Sequence, residues 1–213
     1  MTNNNILQWN CRGLTANFPE LDLLLQTYSP AAICLQETFQ NDTKPFNLRK
    51  YSHFYKNHLK NDGRPGGGVS IFIKRTIPHS QIQLNTPLQA TAVRVSLHRP
   101  ITVCSIYLPP STNIDNADLD AIVSQLPPPV MLLGDFNAHS PLWGCSALDN
   151  RGKYVKISLI PTTSAPSIRK PQHIIILPQD LEQPLTSASV ITHWCLICRG
   201  LFMMISVAAI TFQ

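Results

Sequence analysis

Several short runs, AAICLQ, VSIFI, ITVCSIY and VMLLG, are apolar at nearly every position. A strand with one wet face alternates apolar and polar residues, so runs this continuous must be covered on both faces. That requirement constrains the fold more than any other feature, because each sheet then needs a further layer on either side. Helical segments supply candidates. FPELDLLLQTYSP carries Leu21, Leu24 and Leu25 on one face ahead of a proline stop, and NADLDAIVSQLP reads as a second helix. NILQWN, YSHFYKN and the glycine turn GRPGGG leading into VSIFIKRTI add strands. TAVRVSLHRPITVCSIYLPP reads as a hairpin and PVMLLGDFN as another buried strand. The pattern predicts an α/β sandwich with covered sheets.

The 213 residues suffice for one sizeable domain, and 44% apolar content can fill its core. The net charge of +5 leans toward a polyanionic partner, although surplus Lys and Arg also make an ordinary solvated face. Cys34 and Cys104 lie inside apolar runs and read as buried free thiols in a reducing compartment. Cys195 and Cys198 form a C-x-x-C that no second pair accompanies, so zinc or redox chemistry is the minor reading. MTNNNILQWN lacks the basic and apolar regions of a signal peptide, and LFMMISVAAITF is too short to span a bilayer. No membrane partner is expected.

Chemistry concentrates where strands end. Asn10 closes ILQW, Glu37 follows AICLQ, Tyr107 ends ITVCSIY, and Asp135 and Asn137 follow VMLLG. Ligand sites of α/β folds lie at the carboxyl ends of strands, so neighbouring strands would gather these five residues into one cluster. Such a set suits a hard cation, Mg²⁺ or Mn²⁺, held by oxygen ligands and a substrate phosphate. Glu37 is then the carboxylate ligand with Asn10 beside it. Asp135 orients or deprotonates a water, Asn137 holds a phosphate oxygen, and Tyr107 bonds the phosphate or assists the leaving group. Each residue alone has a plainer reading, such as a turn, a helix cap or a core ring. The functional reading rests on their joint position at successive strand ends. His139 and Trp143 could line a substrate groove or simply pack their loop. The GGG at 66–68 is a flexible turn rather than a phosphate loop, because no Lys-Ser/Thr follows it.

Taken in order, ILQWNCRGL, AAICLQET, GGGVSIFIK, TVCSIYLPP, VMLLGDFNAHSPLWG and DNRGK resemble the endonuclease/exonuclease/phosphatase superfamily. The nearer likeness is to the apurinic-endonuclease-like domain of non-LTR retrotransposons of the jockey and R1 type, and it covers residues 5 to 155. The resemblance implies a four-layer α/β sandwich and divalent-metal-dependent nicking of DNA that primes reverse transcription. It implies Asn10 and Glu37 at the metal, Tyr107 by the phosphate, and Asp135 and Asn137 at the water and phosphate. DNA, an accompanying reverse transcriptase region and access to the nucleus are the implied context. A DNA-binding module without cleavage, and a phosphodiesterase or phosphatase acting on small molecules or lipids, are the competing readings.

The family also uses an Ile-Asp-Leu-Ser-like strand end and a Ser-Asp-His-Phe motif, and this sequence has neither. Beyond residue 155 periodicity fails, and five prolines fall between Pro161 and Pro184. Shifting the reading frame by one base restores order. Across FMMISVAAITFQ the two single-codon Met residues force Asp-Asp, and the following codons permit Leu-Cys-Gly-Ser-Asp-His-Phe-Pro. The sequence therefore predicts an incomplete domain over 1–155, and a frame-shifted, poorly ordered, non-homologous tail over 156–213.

Overall fold

A computed structural model describes residues 4–141, 146–159, 174–178, 192–197 and 200–206, with side chains through residue 155. Two β-sheets lie face to face. The first contains β1 (Asn5–Asn10), β2 (Ala32–Gln36), β3 (Tyr51–Lys56) and β4 (Val69–Lys74). The second contains β5 (His79–Ile82), β6 (Gln89–Ser96), β7 (Pro100–Tyr107) and β8 (Val130–Asp135). Helix α1 (Phe18–Tyr28) covers the first sheet, while α2 (Asn116–Val123) and α3 (Asn150–Leu159) cover the second.

The layers follow from side-chain alternation. On the inner faces Ile6, Ala32, Cys34, Ile71 and Ile73 meet Val93, Val95, Ile101, Val103, Met131 and Leu133. Alternate residues point outward. Leu7, Trp9, Ile33, Leu35 and Phe72 pack on Leu21 and Leu24 of α1. Ala92, Cys104, Ile106, Val130 and Leu132 pack on Leu119 and Ile122 of α2 and Val155 of α3. This is the four-layer α/β sandwich expected, and it explains the continuous apolar runs: both faces of each central strand are dry. Cys11, Cys34 and Cys104 are buried free thiols, and burial pushes Cys11 and Cys104 up to about 12. The thiols are therefore neutral at ordinary pH and act as core groups. Among the described residues no helix is long and apolar enough to cross a membrane.

Strand direction positions everything that follows. β1 and β2 are parallel, with Asn10 opposite Gln36, and β7 and β8 are parallel, with Tyr107 opposite Asp135. The capping box of α2, in which Asp115 and Asp118 exchange side-chain bonds with each other's backbone N–H, fixes the crossover between β7 and β8.

Five elements were not read from the sequence, two of them before residue 160 and three after it. β5 is a short edge strand with exposed positions, and α3 opens on DNRGK. After residue 155 the backbone still contributes to both sheets. β9 (Ile174–Pro178) runs parallel to β8, and the hairpin of β10 (Thr192–Ile197) and β11 (Gly200–Ser206) pairs antiparallel to β1 through β11. The remainder of the 156–213 expectation, with the C-x-x-C thiols, lies outside the described residues, as does Trp143.

The inter-sheet core sets the stability. Leu133→Ala, at a fully buried inner-face position, is expected to cost about 2–5 kcal/mol. Urea denaturation followed by circular dichroism checks this as a lowered midpoint at unchanged slope.

Candidate active site

Along the inner faces the side chains change from apolar to polar as the strands reach one end of the sandwich. Beneath the end lies a buried chain of hydrogen bonds. The Gln8 amide donates to Gln36 Oε1 at 2.9 Å, and Gln36 Nε2 donates to Ser105 Oγ at 3.0 Å across the two sheets. Ser105 Oγ in turn reaches the Leu35 carbonyl at 3.3 Å. Gln8, Gln36 and Ser105 thus each have a buried partner, as burial demands.

Above this chain the five strand-end residues converge. Asn10 Nδ2 donates to Glu37 Oε1 at 2.7 Å and to Asp135 Oδ2 at 2.8 Å. One amide therefore holds two carboxylates, one on each sheet. The other oxygen of Asp135 accepts from the Asn137 backbone N–H at 3.0 Å, and Asn137 Nδ2 donates to the Leu108 carbonyl at 3.1 Å. The Tyr107 hydroxyl bonds Glu37. Burial, then the charges of Glu37 and Asp135, then that hydrogen bond push Tyr107 well above its ordinary value of 10.0, against a smaller opposing pull from Arg12.

Glu37 reaches the cluster through the backbone. Strict alternation would send Gln36 inward and Glu37 outward. Instead Glu37 takes φ +51, the left-handed region that costs a non-glycine residue about 1–2 kcal/mol. Its neighbours over-determine that kink. The Gly13 N–H donates to the Glu37 carbonyl at 2.7 Å, and the Phe39 N–H donates to the Gly67 carbonyl at 2.8 Å. The glycine turn at 66–68 is tied to the neighbouring strand. Gly67 and Gly68 have φ +106 and +86, and the Gly68 N–H donates to Gln89 Oε1 at 2.6 Å. A Cβ on Gly67 would collide with the Gln89 amide.

Two arginines escaped the sequence reading. Arg12 stands exposed beside Tyr107, close enough for its charge to act on that hydroxyl. Arg151 donates to the carbonyls of Leu108, Pro109, Pro110, Thr112 and Phe136. It thereby ties the loop after β7 to the loop after β8, where Asn137 sits. The DNRG spacing held the signal: Asp149 caps α3 by accepting the Gly152 N–H at 2.5 Å, an Asp-x-x-Gly pattern. A Cβ on Gly152 would collide with the His139 carbonyl. His139 does not face the cluster but pairs with Asp149 at 3.0 Å on the surface.

The donor set bears on the cation. Two carboxylates and amides offer hard oxygen, and among the described residues no three His, Cys, Asp or Glu side chains gather as a metal-holding group. That excludes a zinc-type cage built from these residues and fits a cation that keeps waters and takes one or two carboxylates plus a phosphate. Asn10 meets both carboxylates through its nitrogen, and its Oδ1 accepts the Arg12 N–H at 3.3 Å. A cleft of about 540 Å³ opens beside Glu37 and Tyr107, walled by Phe39, Leu88, Pro109 and Pro110.

Because the neutral phenol is favoured in the folded state, Tyr107 contributes stability that is fully present below its ordinary value and is lost as pH rises through the raised folded value. Phenolate absorbance near 295 nm should show two tyrosines titrating late, Tyr51 through burial and Tyr107, and Glu37→Gln should bring only the Tyr107 titration down. Arg151→Ala is expected to destabilise by about 1–3 kcal/mol, since buried carbonyls lose a charged donor; a thermal melt measures it.

Comparison with known proteins gives the family and the fold. The chain matches the Endonuclease/Exonuclease/phosphatase family over residues 7–188. It is 27% identical over 151 residues to the RNA-directed DNA polymerase from mobile element jockey of Drosophila funebris, covering 70% of this chain and 16% of that protein. The jockey protein of Drosophila melanogaster matches over the same shares at 27% identity. The chain thus spans about one sixth of these relatives. Among solved structures, the endonuclease domain of TRAS1, a telomere-specific non-LTR retrotransposon, superposes with TM-score 0.56 at 24% identity, over 73% of this chain and 69% of that one. A 3′-5′ exonuclease from Neisseria meningitidis gives TM-score 0.57 at 19% identity, over 73% and 70%. A two-sheet sandwich whose strand ends carry an amide-bridged carboxylate pair, matched over most of its length, belongs to the Endonuclease/Exonuclease/phosphatase family.

Proposed function

We propose that this chain is the DNA-nicking endonuclease domain of a non-LTR retrotransposon, working with Mg²⁺ or Mn²⁺ and joined in the full element to a reverse transcriptase. The observation that carries the reading is the Asn10 amide bridging Glu37 and Asp135 across the two sheets. The jockey relatives, all RNA-directed DNA polymerases, support the element context.

Glu37 would hold the cation, with Asn10 setting its carboxylate. A bound divalent cation supplies charge neutralisation at the phosphate and the leaving oxygen. Asp135 accepts the Asn137 N–H on one oxygen and the Asn10 amide on the other, and so presents a fixed carboxylate to orient and deprotonate a water. Asn137 spends one amide hydrogen on Leu108 and has the second for a phosphate oxygen. Tyr107 stays protonated at neutral pH and can donate to a phosphate or leaving oxygen. The family's Asp-His motif has no counterpart in this reading frame, so the chain as written should cut poorly. A one-base frame change between about Lys153 and Lys156 accounts for that loss. The intracellular setting, with access to nuclear DNA, follows from the same proposal.

Nicking of supercoiled plasmid with Mg²⁺ tests the reading. Restoring the alternative frame after residue 155 should raise the rate by about 10²–10⁴-fold, and Glu37→Gln or Asp135→Asn in that protein should remove it. Robust, Glu37-dependent nicking by the chain as written would refute the impairment. Sequencing the locus and transcript across codons 150 to 160 checks the frame change directly.

A further inference from the structure

We propose that the end of the first sheet remote from the carboxylate pair carries a second binding site, for the phosphodiester backbone of a nucleic acid, built from Arg49, Lys50, Lys74 and Arg75. Strand register sets its place. β4 runs antiparallel to β2, so Lys74 at the end of β4 lies beside the start of β2, whereas Glu37 follows the end of β2. The Lys74 N–H accordingly donates to the Ala31 carbonyl at 3.0 Å. β3 begins with Tyr51 opposite Lys74, and the Arg75 N–H donates to the Lys50 carbonyl at 2.9 Å. The five residues of β2 separate the two ends by about 17 Å. All four cations line one cleft of about 1000 Å³, with Leu25 and Tyr51 on its wall.

Structural duties account for half of the cluster. Lys74 Nζ donates to the carbonyl and hydroxyl of Ser29 at 2.6 and 2.8 Å, at the C-terminal cap of α1. Arg75 Nε donates to the Tyr51 carbonyl at 3.1 Å, which fixes the guanidinium and leaves its terminal amino groups for an anion. Arg49 and Lys50 have no such duty: both are exposed, and among the described residues their side chains form no hydrogen bond or ion pair. Lys50 is the third residue of a turn closed by the Tyr51 N–H on the Leu48 carbonyl at 3.1 Å, and its φ is +72. Glycine or asparagine fills that left-handed position at least cost. Lys50 also opposes Lys74, whose ammonium is held below its ordinary value by burial first and by the Lys50 charge second. Folding therefore gains nothing from a lysine at 50, and a bound anion would relieve the repulsion.

The charge balance selects the anion. Against the four cations the cleft offers Asp22, whose carboxylate already accepts Gln26 Nε2 at 2.7 Å. Several uncompensated cations side by side suit successive phosphates, whose neutralisation releases condensed counterions, and arginine forks match phosphate oxygens. Because the site stands at the opposite end of the sheet from Glu37, a strand held here does not compete with one at the carboxylate pair. The chain can then grip two nucleic-acid segments at once.

Stoichiometry on the intact chain tests this without cleavage. A short DNA duplex and a short RNA strand are each titrated with Ca²⁺ present and followed by sedimentation velocity and fluorescence anisotropy. Wild type should take two molecules per chain of whichever nucleic acid fits the second site. Arg49→Glu/Lys50→Glu should weaken the second event at least about tenfold, leave the other within about twofold, and lower the salt slope of the weakened event by about two. Arg49→Lys/Lys50→Arg should retain both events. Lys44→Glu/Lys153→Glu, with the same change in net charge, should also retain both, and circular dichroism melts confirm that each variant folds. A single event indifferent to Arg49 and Lys50, or equal losses from the two charge reversals, overturns the proposal. Displacement of the second molecule by polyglutamate at equal charge overturns it in favour of an acidic protein segment. A single event that the Arg49→Glu/Lys50→Glu variant loses supports this site and counts against the nuclease reading alone.

Discussion

The bond that the rest of the structure depends on is the double donation of the Asn10 amide. Glu37 and Asp135 are like charges, carried by different sheets and drawn to one point by strand direction. Two carboxylates that close would repel unless a donor stands between them. A lysine there would cancel half of the pair's charge and weaken the demand for a cation. A neutral amide satisfies one oxygen of each, holds the sheets in register, and leaves the negative charge in place. Beneath it, Gln8, Gln36 and Ser105 form a neutral polar layer between the carboxylates and the aliphatic core. Polarity therefore rises in steps along the sandwich, from Ile6 and Cys34 through amides to charges. The carboxylates sit on a satisfied network rather than directly on dry hydrocarbon, where ionisation would cost far more.

Much of this was legible from residues alone, and for definite reasons. Runs such as VMLLG announce burial on both faces, so the covered sheets followed from composition within each run. Strand ends were visible because polarity changes abruptly at Asn10, Tyr107 and Asp135. The path of Glu37 was not legible. Period-two alternation assigns it to the outer face, and only its left-handed backbone, stitched to Gly13 and the Gly67 turn, returns it inward. Local sequence carries no direct sign of a kink whose hydrogen bonds come from residues far along the chain. β5 was missed because an exposed edge strand has no apolar run. α3 was missed because its first turn, NRGK, is polar and includes a glycine, a poor helix former.

That glycine shows why propensity misled. Gly152 weakens the helix locally, yet a side chain there could not coexist with the His139 carbonyl. Close approach of α3 to the loop after β8 outweighs the propensity loss. Asp149 compensates at the helix start by capping, with burial raising its carboxyl but the Gly152 N–H and His139 lowering it further. The turn at 66–68 follows the same rule. Its glycines serve a tight fit against Gln89, and through Phe39 N–H they brace the kink that aims Glu37.

Arg151 closes the argument about where the site ends and where the sheets end. Its guanidinium gathers carbonyls from Leu108 to Thr112 and from Phe136, so the loops that carry Tyr107 and Asn137 are locked to each other by one side chain near the start of α3. The side-chain bonds that tie Asn10, Glu37, Asp135 and Asn137 together run among residues up to Asn137, and Arg151 braces their loops. The strands beyond residue 155 do a different job. β11 covers the free edge of β1, and β9 covers the free edge of β8. Without them the backbone donors and acceptors of two central strands would face solvent as open edges, an invitation to intermolecular pairing. Change in the last quarter of the chain therefore acts on solubility and on whatever groups those strands would add. The hydrogen bonds between Asn10, Glu37 and Asp135 are made within the first 135 residues, while β9 and β11 brace the strands that carry them.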